Sequence, residues 1–353
     1  MAMTQDEVKG AISSLDFSIR NVQRDVTMSS LSGEVNRISQ DLVKQSTRLK
    51  ELRDQGYVFD DELELKIKQN NANWQRIKPS IENDIRSYVN KLKTEMNQVD
   101  ETMRRLKSLS ASPVMAEPQI KRAKDSLDIL SKNAKAANDA VSSRFSAIKN
   151  DVNAINTRLS AVEWMMNELH QASFKLMGVE APVSALKVSW YHDGKESKDD
   201  PEGILFLTDQ RVIFEIHEKI VKKKVLFVTT ASEIERRVGF ETILAHVERA
   251  EHFQEGALKG KSHLRLIFTS QGPYSQTQFR VNSGTNSEFC RLISRIQSGE
   301  LLKNRTEEVD QESLERLRNV PSQCPSCGGL VTQKVLRGQN EINCEYCGFV
   351  MRF

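Results

Sequence analysis

The stretch Gly203-Ile-Leu-Phe-Leu-Thr-Asp-Gln-Arg-Val-Ile-Phe214 decides how the middle of this chain folds. Residues 203–208 and 211–216 are apolar runs rich in β-branched and aromatic side chains. Asp209-Gln210 joins them, which predicts two strands and a tight hairpin. From about residue 185 the apolar period is two. Residues 186–191 read as a strand and 193–202 as an acidic loop. Further strands are expected over 225–229, 245–253, 263–269 and 277–281. Residues 286–302 read as a closing helix with Phe289, Leu292, Ile293 and Ile296 on one face. The charged segment 218–241 reads as an insertion after the third strand.

Six or seven antiparallel strands capped by one amphipathic helix is the element order of a pleckstrin-homology-like barrel. The stretch 203–214 resembles the second and third strands of GRAM and bacterial pleckstrin-homology-like domains. There an apolar strand ends in Leu-Thr, a two-residue polar turn with an arginine follows, and a second apolar strand begins. The resemblance spans residues 180–302 and implies a β-barrel with a capping helix. Such domains bind lipids or peptides, or serve as scaffolds. Lys222-Lys223-Lys224 with Lys219, extended by Arg236-Arg237, offers an anion-attracting loop edge. Each basic residue near an anionic membrane is worth about 1 kcal/mol. The alternative is a solvated strand end that discourages aggregation.

Toward the C-terminus, Cys324-Pro-Ser-Cys327 and Cys344-Glu-Tyr-Cys347 have the spacing of a tetrahedral four-cysteine Zn2+ site. Gly328 and Gly348 follow each pair where a knuckle favours positive φ. These motifs resemble the zinc ribbon family, and residues 320–353 are assigned to such a ribbon. Two disulfides or four idle thiols are the alternatives. A closed all-thiolate site is usually structural.

The first half is helical. Val8, Ile12, Leu15, Ile19, Val22 and Val26 recur at alternating four and three steps, as do Val35, Ile38, Leu42, Leu49 and Leu52. A break is expected at 29–33, and Gln45 is a polar gap in the stripe. Asp60 or Asp61 is placed to cap a third helix. Ile85, Val89, Leu92, Met96, Val99, Met103 and Leu106 continue the seam there, with Pro79 read as a kink. After a turn over 109–118, a fourth helix runs to about Phe174 with a stutter near Val141. Residues 1–176 therefore read as a helical coiled-coil region with a long hairpin over about 60–174. A helix of about fifty residues would span roughly 75 Å. A plain bundle and a spacer or assembly rod share this pattern. Residues 303–319 read as a charged helical linker, so the fold class is multidomain α+β.

Net charge is +3 and evenly spread, with 27 basic and 25 acidic residues in 1–180 and 17 and 16 in 181–300. The ribbon sets Lys334, Arg337 and Arg352 against Glu341 and Glu345. This balance weighs against nucleic acid as the main partner. The start of the chain is polar and acidic, unlike a signal peptide, and no long apolar run is present. A cytoplasmic protein is expected, with peripheral membrane contact as an option. The segment 256–262 resembles a phosphate loop but has three residues between its glycines where four are needed. His246 and His252 suit one face of a strand, and Cys290 reads as a buried inert thiol. With no catalytic constellation, the expectation is a non-enzymatic adaptor that binds a protein partner or membrane, with homo-oligomerisation through the helices possible. A nucleic-acid-binding ribbon and a subunit of an enzyme complex are the competing readings.

Overall fold

The computed structural model describes residues 3–191, 197, 199–225, 228–255, 260–306, 320–321, 323–336 and 339–352, without the side chains of 220–225 and 228–233. Two compact units emerge: residues 1–47 with 63–157, and residues 48–62 with 158–353.

Five helices supply the first unit and reach into the second: α1 (Gln5–Thr27), α2 (Ser29–Asp54), α3 (Asp61–Ser108), α4 (Pro113–Ser143) and α5 (Ser146–His170). Thr4 opens α1 with a capping box, its hydroxyl accepting from the Glu7 amide while the Glu7 carboxylate takes the Thr4 amide at 2.7 Å. The break expected over 29–33 is a single residue, Met28, which lies in the left-handed region at φ 48°. The fourth helix is divided at Arg144 and Phe145, next to the stutter, and α5 ends at His170 rather than near Phe174. Pro79 lies inside α3, as a kink would require.

The seam residues are buried in one core. Val8, Leu15, Val22, Ile38 and Leu42 meet Ile81, Ile85, Leu92, Val99 and Leu106 of α3, and Leu127, Leu130, Val141, Phe145 and Val152 of α4 and α5. Polar links fix the directions. Lys107 pairs with Asp16 at 2.8 Å and the Trp74 indole donates to Ser39, so α3 runs against α1 and α2. Asn133 donates to Glu95 and Arg144 to Ser80, so α3 runs against α4 as well. The polar gap has a role: Gln45 is fully buried, and its amide donates to the Val152 carbonyl at 2.8 Å and to Asn156 at 3.0 Å.

The second unit carries a seven-stranded antiparallel sheet ordered β4-β3-β2-β1-β7-β6-β5. The strands are β1 (Pro182–Tyr191), β2 (Glu202–Thr208), β3 (Arg211–Val225), β4 (Val228–Ile243), β5 (Val247–Glu255), β6 (Lys261–Phe268) and β7 (Gln276–Ser283). Trp190, Phe214, Phe240 and Phe279 form an aromatic core on one face, with ring centroids 5.4–6.2 Å apart. The helix α6 (Asn286–Gln297) closes this core with Phe289, Leu292, Ile293 and Ile296, as expected. Its Cys290 is buried, and burial, then the Glu251 charge, pushes that thiol up to about 11. On the opposite face, Trp164 and Leu169 of α5 pack with Ile204, Phe206 and Ile213.

Three expectations need correcting. The sheet is open and not a barrel, since β4 and β5 are its two edges. At the corner between them the Leu244 and Val247 carbonyls accept from Gln297 of α6. The segment 218–241 is no insertion but the outer arms of one long β3–β4 hairpin, paired from Arg211↔Ile243 to Val225↔Val228. His246 lies in a 3-10 turn and His252 on β5, so they do not share a strand. Most of the expected linker, 307–319, lies outside the described residues, as does 256–259 of the rejected phosphate loop. A short helix α7 (Glu300–Lys303) follows α6.

Candidate metal centre

Each cysteine pair sits in the same backbone turn. The Gly328 amide donates to the Cys324 carbonyl and the Cys324 amide to Gly329, both at 2.8 Å. The Gly348 amide donates to Cys344 and the Cys344 amide to Phe349, again at 2.8 Å. Gly328 and Gly348 take φ of 73° and 75°, a region costly for residues with a Cβ. The second knuckle joins two short paired strands, β8 (Glu341–Asn343) and β9 (Val350–Arg352).

These turns bring the thiols of Cys324, Cys327, Cys344 and Cys347 within 4.8 Å of one another. Across the knuckles, Cys324 Sγ lies 3.7 Å from Cys347 Sγ and Cys327 Sγ lies 3.6 Å from Cys344 Sγ. Zinc–sulfur bonds of about 2.3 Å in a tetrahedron place sulfurs about 3.8 Å apart, so the donor set fits such an ion. The four thiols are free. The Tyr346 amide, helped by that of Cys347 and opposed by burial, holds the Cys344 thiol down to about 7. The Gly329 amide lowers Cys327, but the Cys347 thiol, burial and the other sulfurs outweigh it and push Cys327 up to about 12.

The buried core of the ribbon is Cys324, Ile342, Cys344 and Met351, with Val320, Val331 and Val335 half-buried around it. Leu330, Tyr346, Phe349 and Val350 are exposed on the knuckles, and the Tyr346 ring lies over Gly329, where a Cβ would come within 2.6 Å of it.

The ribbon is tied to the sheet through a charged junction. Met177 bridges to Leu336, the Gly178 amide donates to the Val335 carbonyl at 3.2 Å, and Lys334 pairs with Glu241 of β4. Glu241 also pairs with Arg211, the arginine of the hairpin turn. Arg211 is buried, and its guanidinium meets Glu180 through Nε at 2.8 Å and Nη2 at 3.0 Å, and the Lys175 carbonyl at 2.7 Å. Thr208 Oγ1 donates to Glu180 and accepts from the Arg211 amide. Burial opposes the charge on Arg211, but the two carboxylates raise its pKa further. The turn arginine was visible in sequence, whereas Glu180, 31 residues away, carried no local mark.

A second charged cluster was not anticipated. Glu215 is buried, takes the Ser173 amide at 2.5 Å and His217 at 2.8 Å, and lies 3.4 Å from Arg236. Arg236 itself reaches Glu168 of α5 at 3.0 Å, so it is a structural clamp rather than an edge cation. Lys219 is exposed on β3, while the side chains of Lys222, Lys223 and Lys224 lie outside the described ones. Among the described residues, no helix is long and apolar enough to cross a membrane.

No family model and no curated protein sequence matches the chain. Solved structures align with it at 10% identity. The DH/PH domains of a p115-RhoGEF mutant cover 83% of this chain and 96% of their own, with a TM-score of 0.22. The PDZ-RhoGEF DH/PH domains in complex with GTP-gamma-S activated RhoA cover 84% and 94%, with a TM-score of 0.24. Such scores carry neither fold nor activity to this chain. The expectation of a non-enzymatic protein is withdrawn, because it rested on missing motifs and an absence of motifs decides nothing about activity.

Proposed function

We propose that this chain is an adaptor or scaffold whose zinc-stapled ribbon presents an apolar surface to a protein partner. The observation that carries the reading is the exposed set Leu330, Tyr346, Phe349 and Val350 on a ribbon whose small buried core includes Cys324 and Cys344. Apolar side chains this large, gathered on so small a module, lose little by waiting in water only if a partner covers them. Cys324, Cys327, Cys344 and Cys347 would hold Zn2+ as a closed structural site that supplies folding free energy. The charged junction at Glu241 supports the same reading, because it gives the ribbon a fixed seat on the sheet. The seam of α1–α5, two residues in seven, supports coiled-coil packing and a spacing role for the helices.

The test is affinity capture with cross-linking from the native host, run on the wild-type chain, Tyr346→Ser with Phe349→Ser, and Cys344→Ser. Partners cross-linked to the ribbon of the wild type should disappear in both variants while zinc stays stoichiometric in the first. A partner set indifferent to both variants would sink the reading.

A further inference from the structure

The outer edge of β4 has no strand beside it among the described residues, because the sheet order ends there. Exposed edges are usually blunted by charges of one sign, lysine above all. The edge of β4 carries both signs, in a self-complementary order: Ile234-Glu235-Arg236-Arg237-Val238. Laid antiparallel against itself with Arg236 on the two-fold axis, this stretch sets each Glu235 opposite an Arg237 and each Ile234 opposite a Val238. Directly opposed cross-strand pairs of these kinds stabilise a sheet, and like charges destabilise it.

The surroundings fit that pairing at every position. On the face that carries Glu235 and Arg237, Glu235 stands directly across from Glu218 of β3, a like-charge pair within the chain. Arg237 relieves it only at 3.9 Å, with both its own side chain and that of Glu218 more than half exposed. Among the described residues that spot has no second cation. On the other face Ile234 and Val238 are 56% and 37% exposed, apolar side chains flanking Arg236 with nothing on them. The two Arg236 side chains that would meet on the axis are already neutralised, each by its own Glu168 at 3.0 Å and Glu215 at 3.4 Å.

We propose that β4 is a self-association edge, and that its occupant is the β4 strand of a second copy of this chain. The two sheets join edge to edge around Arg236, and Glu235 of each copy pairs with Arg237 of the other. A contact of a few residues buries less than a permanent dimer needs, so association is reversible and concentration-dependent. This assignment is independent of the ribbon and of zinc.

Sedimentation velocity on the full chain tests it. Wild-type protein should shift from monomer toward dimer as concentration rises. Arg237→Glu alone and Glu235→Arg alone should each remain monomeric, since each places like charges opposite one another twice. An equimolar mixture of these two variants should dimerise again, because each then supplies the sign the other lacks. Both positions are exposed, and unchanged circular dichroism of the variants would show that folding is intact. A wild type that stays monomeric up to high concentration would overturn the proposal, as would a dimer that ignores Arg237→Glu. So would a mixture that fails to restore what the single variants lost.

Discussion

In the helical unit, apolar residues from Val8 to Val152 share one continuous core to which every helix contributes. In the ribbon, the buried set is Cys324, Ile342, Cys344 and Met351, and half of it is sulfur of the four-cysteine cluster. Cohesion in the first is spread over many small increments, and no single side chain decides it. In the second it is concentrated on one ion-sized point. Between these extremes lies the sheet, where buried carboxylate–guanidinium clusters at Arg211 and Glu215 pin an otherwise apolar core. Distributed burial tolerates change, and concentrated burial does not.

The largest way to expose that contrast is Cys344→Ser. Structural zinc contributes on the order of 10 kcal/mol, so the variant should lose stoichiometric zinc and unfold the ribbon. Its far-ultraviolet helical signal should remain, since the helical core contains no cysteine. A variant that retains zinc by elemental analysis would show that the four sulfurs are not the ligand set.

Arg211→Met comes next. Breaking a buried pair deprives Glu180 of its guanidinium partner, at a cost of about 3–5 kcal/mol. Urea unfolding followed through Trp190 should shift to a lower midpoint, and the Met177–Leu336 seat of the ribbon should exchange amide hydrogens faster. Ile38→Val, by comparison, removes one methylene from the distributed core and should cost only about 0.5–1.5 kcal/mol. A loss as large as that of Arg211→Met would mean the helical core is as brittle as the junction.

The smallest effect is a pH dependence. Burial raises the Glu215 carboxyl, but His217 and the Ser173 amide outweigh it and hold it below the usual carboxylate range. A group whose folded value is depressed stabilises the fold above its unfolded value near 4.5 and loses that contribution as pH falls through the folded value. Glu215→Gln should therefore lose that contribution at neutral pH and show a flatter acid-unfolding profile below that point. Identical acid profiles would remove Glu215 from the balance.

Much of this was legible in the residues. The hairpin 203–214, the four cysteines and the helical seams each follow a local period or spacing, and local geometry enforced them. The residues missed share another property. At the described ends of the outer arms, Glu218, Lys219, Ile234, Glu235, Arg237 and Val238 are exposed on both faces, so the alternation that marks a half-buried strand is absent there and 218–241 reads as a charged insertion. Glu180 and Glu168 find Arg211 and Arg236 only through tertiary folding. Closure of a barrel likewise depends on pairing between strands that a corner keeps apart, and no local pattern encodes it.

Gln45 gives the helices one more property. An apolar seam alone is nearly periodic, so one helix sliding past another by a turn exchanges one leucine contact for a similar one. The buried amide removes that degeneracy. Its Nε2 meets the Val152 carbonyl and Asn156 in this register, and a slip by a turn would leave that donor unpaired in the core at about 1–3 kcal/mol. Within this unit the bundle is therefore indexed as well as glued, with α2 and α5 held in one register.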